Sequence, residues 1–223
     1  MERKYVLITG SAHGLGKALA IVFARNKYNI ILHDLDKNNL EKVKNQILKN
    51  GVECFSVVGD IRSDKTIEKL SRISRKKDAA VLVNNAGVHC PYLPLEKISN
   101  TQIDVILITN LIAPIKLTKK IYQYFLERGD GTIININSLS GLKNHEFRSI
   151  YSASKWGLRG FSDTLKLEAN KNHIRILDVY PSRIKTRPEF TLGMEPEIVA
   201  QKIYDAFRNT DVQKIELNWR KEK

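Results

Sequence analysis

Cysteine is scarce in this chain: Cys54 and Cys90 are the only two. They are too few for a disulfide framework and match no metal-ligand spacing, which argues against both a disulfide-stapled scaffold and a zinc module. Both thiols are expected to be buried and reduced. Long apolar runs are missing as well. No segment approaches the roughly 18 apolar residues that span a bilayer, and the apolar part of "MERKYVLITG" is too short for a secretory leader, so a cytoplasmic protein without a membrane span is expected. Glycine and proline are modest, at 12 and 6 residues, and there is no Pro/Gly/Ser-rich linker, internal repeat or low-complexity tract. Fibrous and disordered classes are thereby set aside. Acid is the last shortage: 24 Asp and Glu face 37 Lys and Arg, for a formal net charge of +13. That balance raises nucleic acid and anionic surfaces as partners. The bases are scattered, however, and the densest patches, "SRISRKKD" (71–78) and "WRKEK" (219–223), fall at a helix end and at the tail. They read as solvated faces, and nucleic-acid binding stays a minor reading.

What is present is an alternation of periods. Short apolar runs at 5–10, 29–34, 54–60, 79–87, 132–138, 174–181 and 214–219 carry the near-continuous burial of parallel strands. Between them, residues 15–27, 37–50, 63–76, about 101–128, 151–171 and 195–208 repeat apolar positions at helical spacing. Strands alternating with helices require right-handed crossovers and a sheet covered on both faces. The fold class is therefore α/β, a doubly wound parallel sheet of about seven strands in a single domain, 1–223.

In such a sheet ligands lie outside the carboxyl ends of the strands. The first run ends in "TGSAHGLG" (9–16), where Gly10, Gly14 and Gly16 allow a tight turn and close approach of the backbone to a pyrophosphate on the next helix's N-terminus. A plain tight turn explains the same glycines. Asp34, ending the second strand, is placed to accept from adenosine ribose hydroxyls and to repel a 2′-phosphate, which favours NAD(H) and leaves NADP(H) as the alternative. His13, within the loop, is a weak counter-argument because imidazole is mostly neutral. Asp36 reads as a helix N-cap. Asp60, ending the third strand, suits either an adenine amino group or a turn. Tyr151 and Lys155 in "YSASKWG" stand four residues apart, one helical turn; alone they read as a stripe of a solvated helix surface rather than as chemistry.

"TGSAHGLG", "NNAG" (84–87), Asn110 in "ITNLIAP", Ser138 in "INSLSG" and "YSASK" (151–155), in that order, resemble the short-chain dehydrogenase/reductase family over about residues 4–208. The resemblance implies a Rossmann fold, a nicotinamide cofactor and an alcohol or carbonyl substrate. It carries over Gly10, Ser11, His13, Gly14, Leu15 and Gly16 to the cofactor loop, with Asp60 and Ile61 after the third strand and Asn85, Ala86 and Gly87 at the adenine-side ribose. It also implies a tetrad of Asn110, Ser138, Tyr151 and Lys155. Tyr151 would be the general acid–base and Lys155 would bond the nicotinamide ribose and lower the phenol's pKa. Ser138 would orient the substrate oxygen, and Asn110 would hold a water joining Lys155 to solvent. Ile184 and Thr186 in "PSRIKT" are carried over to the carboxamide. Ser182 replaces the usual glycine there, a strain of about 1 kcal/mol if the position needs a positive φ.

Other residues resolve less. His89, His145 and His173 show no ligand spacing and read as loop histidines, with His145 expected nearer the substrate because it lies between Ser138 and Tyr151. Trp156 and Phe161 are expected against the core or a second subunit. The stretch 183–195 leaves little lid, suiting a bulky or extended substrate, and Arg183, Lys185 and Arg187 beside it either attract an anionic substrate or form a solvated loop. A homo-oligomer, a dimer through the helices at 101–128 and 151–171 or a tetramer, follows family practice. The competing function is an NAD-binding sensor or structural module without turnover.

Overall fold

The computed structural model describes residues 3–89, 92–186 and 190–221, of Lys221 the backbone alone. The expectations for Cys90 and Arg187 fall outside the described residues. Seven strands, β1 (Tyr5–Thr9), β2 (Asn29–Asp34), β3 (Cys54–Val58), β4 (Ala79–Asn84), β5 (Gly131–Ile136), β6 (Ile174–Pro181) and β7 (Lys214–Leu217), form one sheet in the order β3-β2-β1-β4-β5-β6-β7. Every pairing is parallel. The helices are α1 (Gly14–Arg25), α2 (Lys37–Leu48), α3 (Asp64–Lys76), α4 (Asn100–Leu107), α5 (Ala113–Arg128), α6 (Ser149–Ala169) and α7 (Pro196–Arg208). Strand order reverses between β1 and β4, so a crevice opens at their carboxyl ends.

Alternation along the strands builds a core on each face. Val6, Ile8, Ile30 and Leu32 pack with Leu19, Phe23, Leu40 and Ile203 of α1, α2 and α7. Leu7, Ile31, Leu82 and Ile133 pack with Leu70, Leu117, Phe125 and Leu165 of α3, α5 and α6. Cys54 is a buried free thiol whose pKa desolvation pushes up to about 12, an inert packing residue as expected.

The expected long helix at 101–128 is interrupted. Ile108–Ile112 winds as a π-turn between α4 and α5. Pro114 has no N–H for the Asn110 carbonyl, so the regular ladder cannot run through, and the wider turn sits at that gap. Asn100–Arg128 contains an 18-residue window of mean hydropathy 1.2, so by length and composition alone it passes as a candidate membrane span, as the core helix of a globular fold also does. Here Ala113, Leu117, Ile121 and Phe125 are buried in the core against the sheet.

A polar chain crosses the middle of the sheet. Asn84 Nδ2 donates to Thr118 Oγ1 at 2.8 Å and to Asn135 Oδ1 at 2.9 Å, Asn135 Nδ2 donates to Ser162 Oγ at 3.1 Å, and Ser162 Oγ donates to Asp178 Oδ1 at 2.6 Å. Lys166 Nζ closes the chain on the fully buried Asp178 at 2.5 Å. Removing one partner strands the others in low dielectric. Asp178→Ala is expected to lower stability by about 3–5 kcal/mol in urea unfolding; a loss below about 1 kcal/mol would show that the chain is not coupled.

Candidate active site

The loop after β1 is shaped by close approach. Gly10 has φ of +66°, and a Cβ on Gly16 would fall 2.0 Å from the Gly10 carbonyl oxygen, so any side chain there would displace the turn. Thr9 Oγ1 accepts from the N–H groups of Asn85 and Ala86, both at 3.0 Å, and Asn85 Nδ2 donates to the carbonyls of Thr9 and Gly10, both at 2.9 Å. Ser11 is fully buried and exchanges hydrogen bonds with the His33 backbone. Thus the side chains of Ser11 and Asn85 hold the loop from within. Leu15 is buried in the core, Ala86 is half-buried, and Gly87 is exposed beside Asn110.

Helix α1 starts at His13 with no side-chain cap and no acid in its first turn, leaving its N-terminal N–H groups to suit an anion. His13 Nε2 instead pairs with Asp36 at 2.9 Å. Asp36 is the N-cap of α2, as expected, and its hydrogen bonds from Asn39 and from His13 hold its carboxyl well below the usual range. Asp34 ends β2 with Oδ2 accepting from the Ala12 N–H at 2.9 Å and Oδ1 from the Asp36 N–H at 3.1 Å. It is both a fixed negative charge at the crevice and a tether for the glycine loop. Asp60 is forked by the Arg62 guanidinium, with Nη2 to Oδ2 at 2.6 Å, which lowers its pKa. The Asp60 carboxylate is thus engaged within the turn after β3, and Ile61 beside it is buried.

The four tetrad positions converge across the ends of β4, β5 and α6. Asn110 rides on the π-turn, where its Oδ1 accepts from the Val88 N–H at 2.8 Å and its Nδ2 donates to the Val88 carbonyl at 3.0 Å. Val88 in turn packs in one cluster with Tyr151. Ser138 follows β5, and its Oγ accepts from the Ser140 N–H at 3.1 Å. Lys155 is buried, with Nζ donating to the Ile136 carbonyl at 3.0 Å, and desolvation pulls its pKa down to about 8. Burial raises the Tyr151 pKa, opposed by the Ser138 hydrogen bond and then by the charge of Arg148. Lys155 Nζ lies 5.8 Å from the Tyr151 ring centroid. Arg148, and not Lys155, is the cation whose charge acts on the Tyr151 pKa here.

Two residues at Tyr151 were not singled out as site residues from sequence. The His89 ring stacks on the phenol at 5.6 Å, and the Arg148 guanidinium carbon stands 4.5 Å over the same ring and donates from Nη2 toward His89 Nδ1 at 3.0 Å. The histidine whose ring meets the phenol is His89; both it and His145 are exposed.

Beyond β6, Ser182 is not in the left-handed region, so the strain its glycine replacement raised is absent. Its N–H donates to the Leu217 carbonyl at 2.8 Å and its Oγ accepts from the Trp219 N–H at 3.0 Å, a tether a glycine could not make through a side chain. Ile184 bridges Met194, and Thr186 abuts Gly14. Lys185 is paired with Glu195 at 2.5 Å, so its charge is committed, and Arg183 is exposed.

The buried ammonium sets a stability expectation. A folded pKa of about 8 against an ordinary 10.5 means the cost of the charge is present in full below pH 8 and is relieved as pH rises toward 10.5. Relative to Lys155→Met, the wild type should gain on the order of 3 kcal/mol across that window in urea titrations. Parallel pH curves would contradict the buried charge.

The family model described as short chain dehydrogenase matches residues 4–193. An uncharacterized oxidoreductase of Thermotoga maritima is 31% identical over 186 residues, covering 81% of this chain and 71% of that protein. A 3-oxoacyl-acyl-carrier-protein reductase of Buchnera aphidicola is 31% identical over 188 residues, covering 83% and 75%. Among solved structures, a metagenomic short-chain oxidoreductase in complex with NADP superimposes with a TM-score of 0.86 at 26% identity over 96% of both chains. An alcohol dehydrogenase of Thermococcus sibiricus complexed with 5-hydroxy-NADP has a TM-score of 0.89 at 23% identity over 97% and 96%. The chain belongs to the short chain dehydrogenase family of NAD(P)-dependent oxidoreductases.

Proposed function

We propose that this protein moves a hydride between NAD(H) and an alcohol or carbonyl carbon, with Tyr151 as the general acid–base. One observation carries the reading: a half-buried phenol near the carboxyl edge of β5 has the Arg148 guanidinium carbon 4.5 Å and the Lys155 Nζ 5.8 Å from its ring centroid. The nicotinamide, when bound, supplies or accepts the hydride and in its oxidised form adds a positive charge. The uncapped start of α1 and the backbone of Gly10 to Gly16 would hold its pyrophosphate. In reduction Tyr151 gives its proton to the substrate oxygen that Ser138 orients, and Asn110 and Lys155 line the route by which that proton is replaced. Since the phenol starts above its ordinary pKa, cations must lower it toward neutrality in the working complex.

Asp34 supports NAD(H), because a fixed carboxylate at the end of β2, with ionised Asp36 beside it, would repel a 2′-phosphate. NADP(H) is the competing assignment, supported by relatives solved with that cofactor. A homo-oligomer through α4, α5 and α6 is proposed on the exposed Ile108, Ile112 and Trp156. Cofactor binding without turnover on a broad carbonyl panel would instead assign a sensing module.

Tyr151→Phe is expected to cut turnover about 10²–10⁴-fold while cofactor affinity, read by fluorescence titration, changes little; retained turnover would remove Tyr151 from the chemistry. The wild type should bind NADH more tightly than NADPH, and Asp34→Ala should narrow that ratio. Because Asp34 also tethers Ala12, both affinities will fall, so the ratio is the readout. An unchanged ratio would refute the role of Asp34.

A further inference from the structure

Arg148 precedes α6 and is buried, with 8% of its surface exposed. A guanidinium taken out of water normally has a carboxylate with it, because the desolvation of an unpaired cation costs several kcal/mol. Among the described residues none pairs with Arg148. Its neighbours are aromatic rings: Tyr151 and Tyr92, each centroid 4.5 Å from the guanidinium carbon, and His89, on which Nη2 makes its hydrogen bond at 3.0 Å. Stacking on aromatic faces returns part of the desolvation cost but satisfies no N–H. Nε is buried without a hydrogen-bond partner. The group thus keeps an open donor and an uncompensated charge against the ring of the proposed proton carrier.

We propose that Arg148 is the anchor for a carboxylate on the substrate, so that the carbonyl compounds this protein reduces are short oxo acids. The inference rests on the proposed oxidoreductase function and names its substrate class. The planar fork of a guanidinium matches the two oxygens of a carboxylate in its own plane. Tyr92 and Tyr151 flank the guanidinium carbon, and Nε is the donor left without a partner. A substrate held there has its carbonyl near the Tyr151 hydroxyl and Ser138, so the anchored acid and the reducible carbon must be close in one small molecule. Tyr92 and Phe147, both exposed, and Phe190, edge-on to His89 at 6.2 Å, supply an apolar rim for the rest of it. The pair Arg183 and Lys185, the other cationic candidate, is weaker because Lys185 is already bound to Glu195.

The test compares a short 3-oxo acid, its methyl ester and a keto phosphate as substrates of the wild type, Arg148→Gln and Arg148→Lys, with NADH and NADPH. Alongside it, binding of a saturated carboxylic acid to the cofactor complex is followed by nucleotide fluorescence. The anchor predicts that the wild type favours the acid over the ester in kcat/KM. Arg148→Gln should lower that ratio about 10- to 100-fold, mainly through KM, weaken the saturated acid equally, and be partly rescued by Arg148→Lys. Equal losses for acid and ester, or no preference for the acid, would overturn the anchor while leaving the oxidoreductase reading intact. A keto phosphate preferred over the acid with the same Arg148 dependence would overturn the carboxylate assignment. Carboxylate binding lost in Arg148→Gln, in a protein that turns over no carbonyl, would support the anchor and overturn the reading on which it was built. Absence of both binding and turnover would overturn both.

Discussion

An amine kept inside the protein is the constraint around which the site is arranged. Lys155 reaches from the second turn of α6 to the Ile136 carbonyl at the end of β5, and burial draws its pKa down to about 8. The same low dielectric that makes its charge costly pushes the neighbouring phenol the other way. Neither group is set up for chemistry alone. Cations acting together are needed to make Tyr151 a usable proton carrier, and Arg148 is the one that acts on it in the ligand-free chain.

The frame that holds these groups is polar as well as apolar. Asn135 and Asp178 lock β5 and β6 to α6 through Ser162, directly beneath the helix that carries Tyr151 and Lys155. On the other side of the switch point, Thr9 and Asn85 stitch the ends of β1 and β4 together under the glycine turn. Asp34 extends that stitching to β2 through Ala12. Buried hydrogen bonds of this kind specify geometry because each is costly to leave unmade. They fix the two halves of the crevice relative to each other.

The strands and helices were legible because their burial is periodic. Alternate residues of β1 enter opposite cores, and the α2 start was marked by Asp36. The π-turn was not, since apolar spacing continues through it and only Pro114 hints at a break. Among site residues, the order of motifs located the tetrad, but sequence cannot tell whether a polar side chain turns toward a ligand or into the fold. Ser11 and Asn85 turned inward, and Asp60 found Arg62 two residues away. His89 and Arg148 meet across 59 residues of chain, from loops with no periodicity, so no local pattern could have joined them. Ser182 shows the reverse: a departure that looked like strain is a hydrogen bond to Trp219.

The most direct test of the account is an ultraviolet titration of tyrosine ionisation, with the Tyr151→Phe protein subtracted to isolate one phenol. Without cofactor the Tyr151 midpoint should lie above the ordinary 10.0, and saturating oxidised cofactor should move it down by about a unit or more. A midpoint at the ordinary value, or one that the oxidised cofactor leaves in place, would contradict the claim that burial raises this phenol and assembled cations lower it.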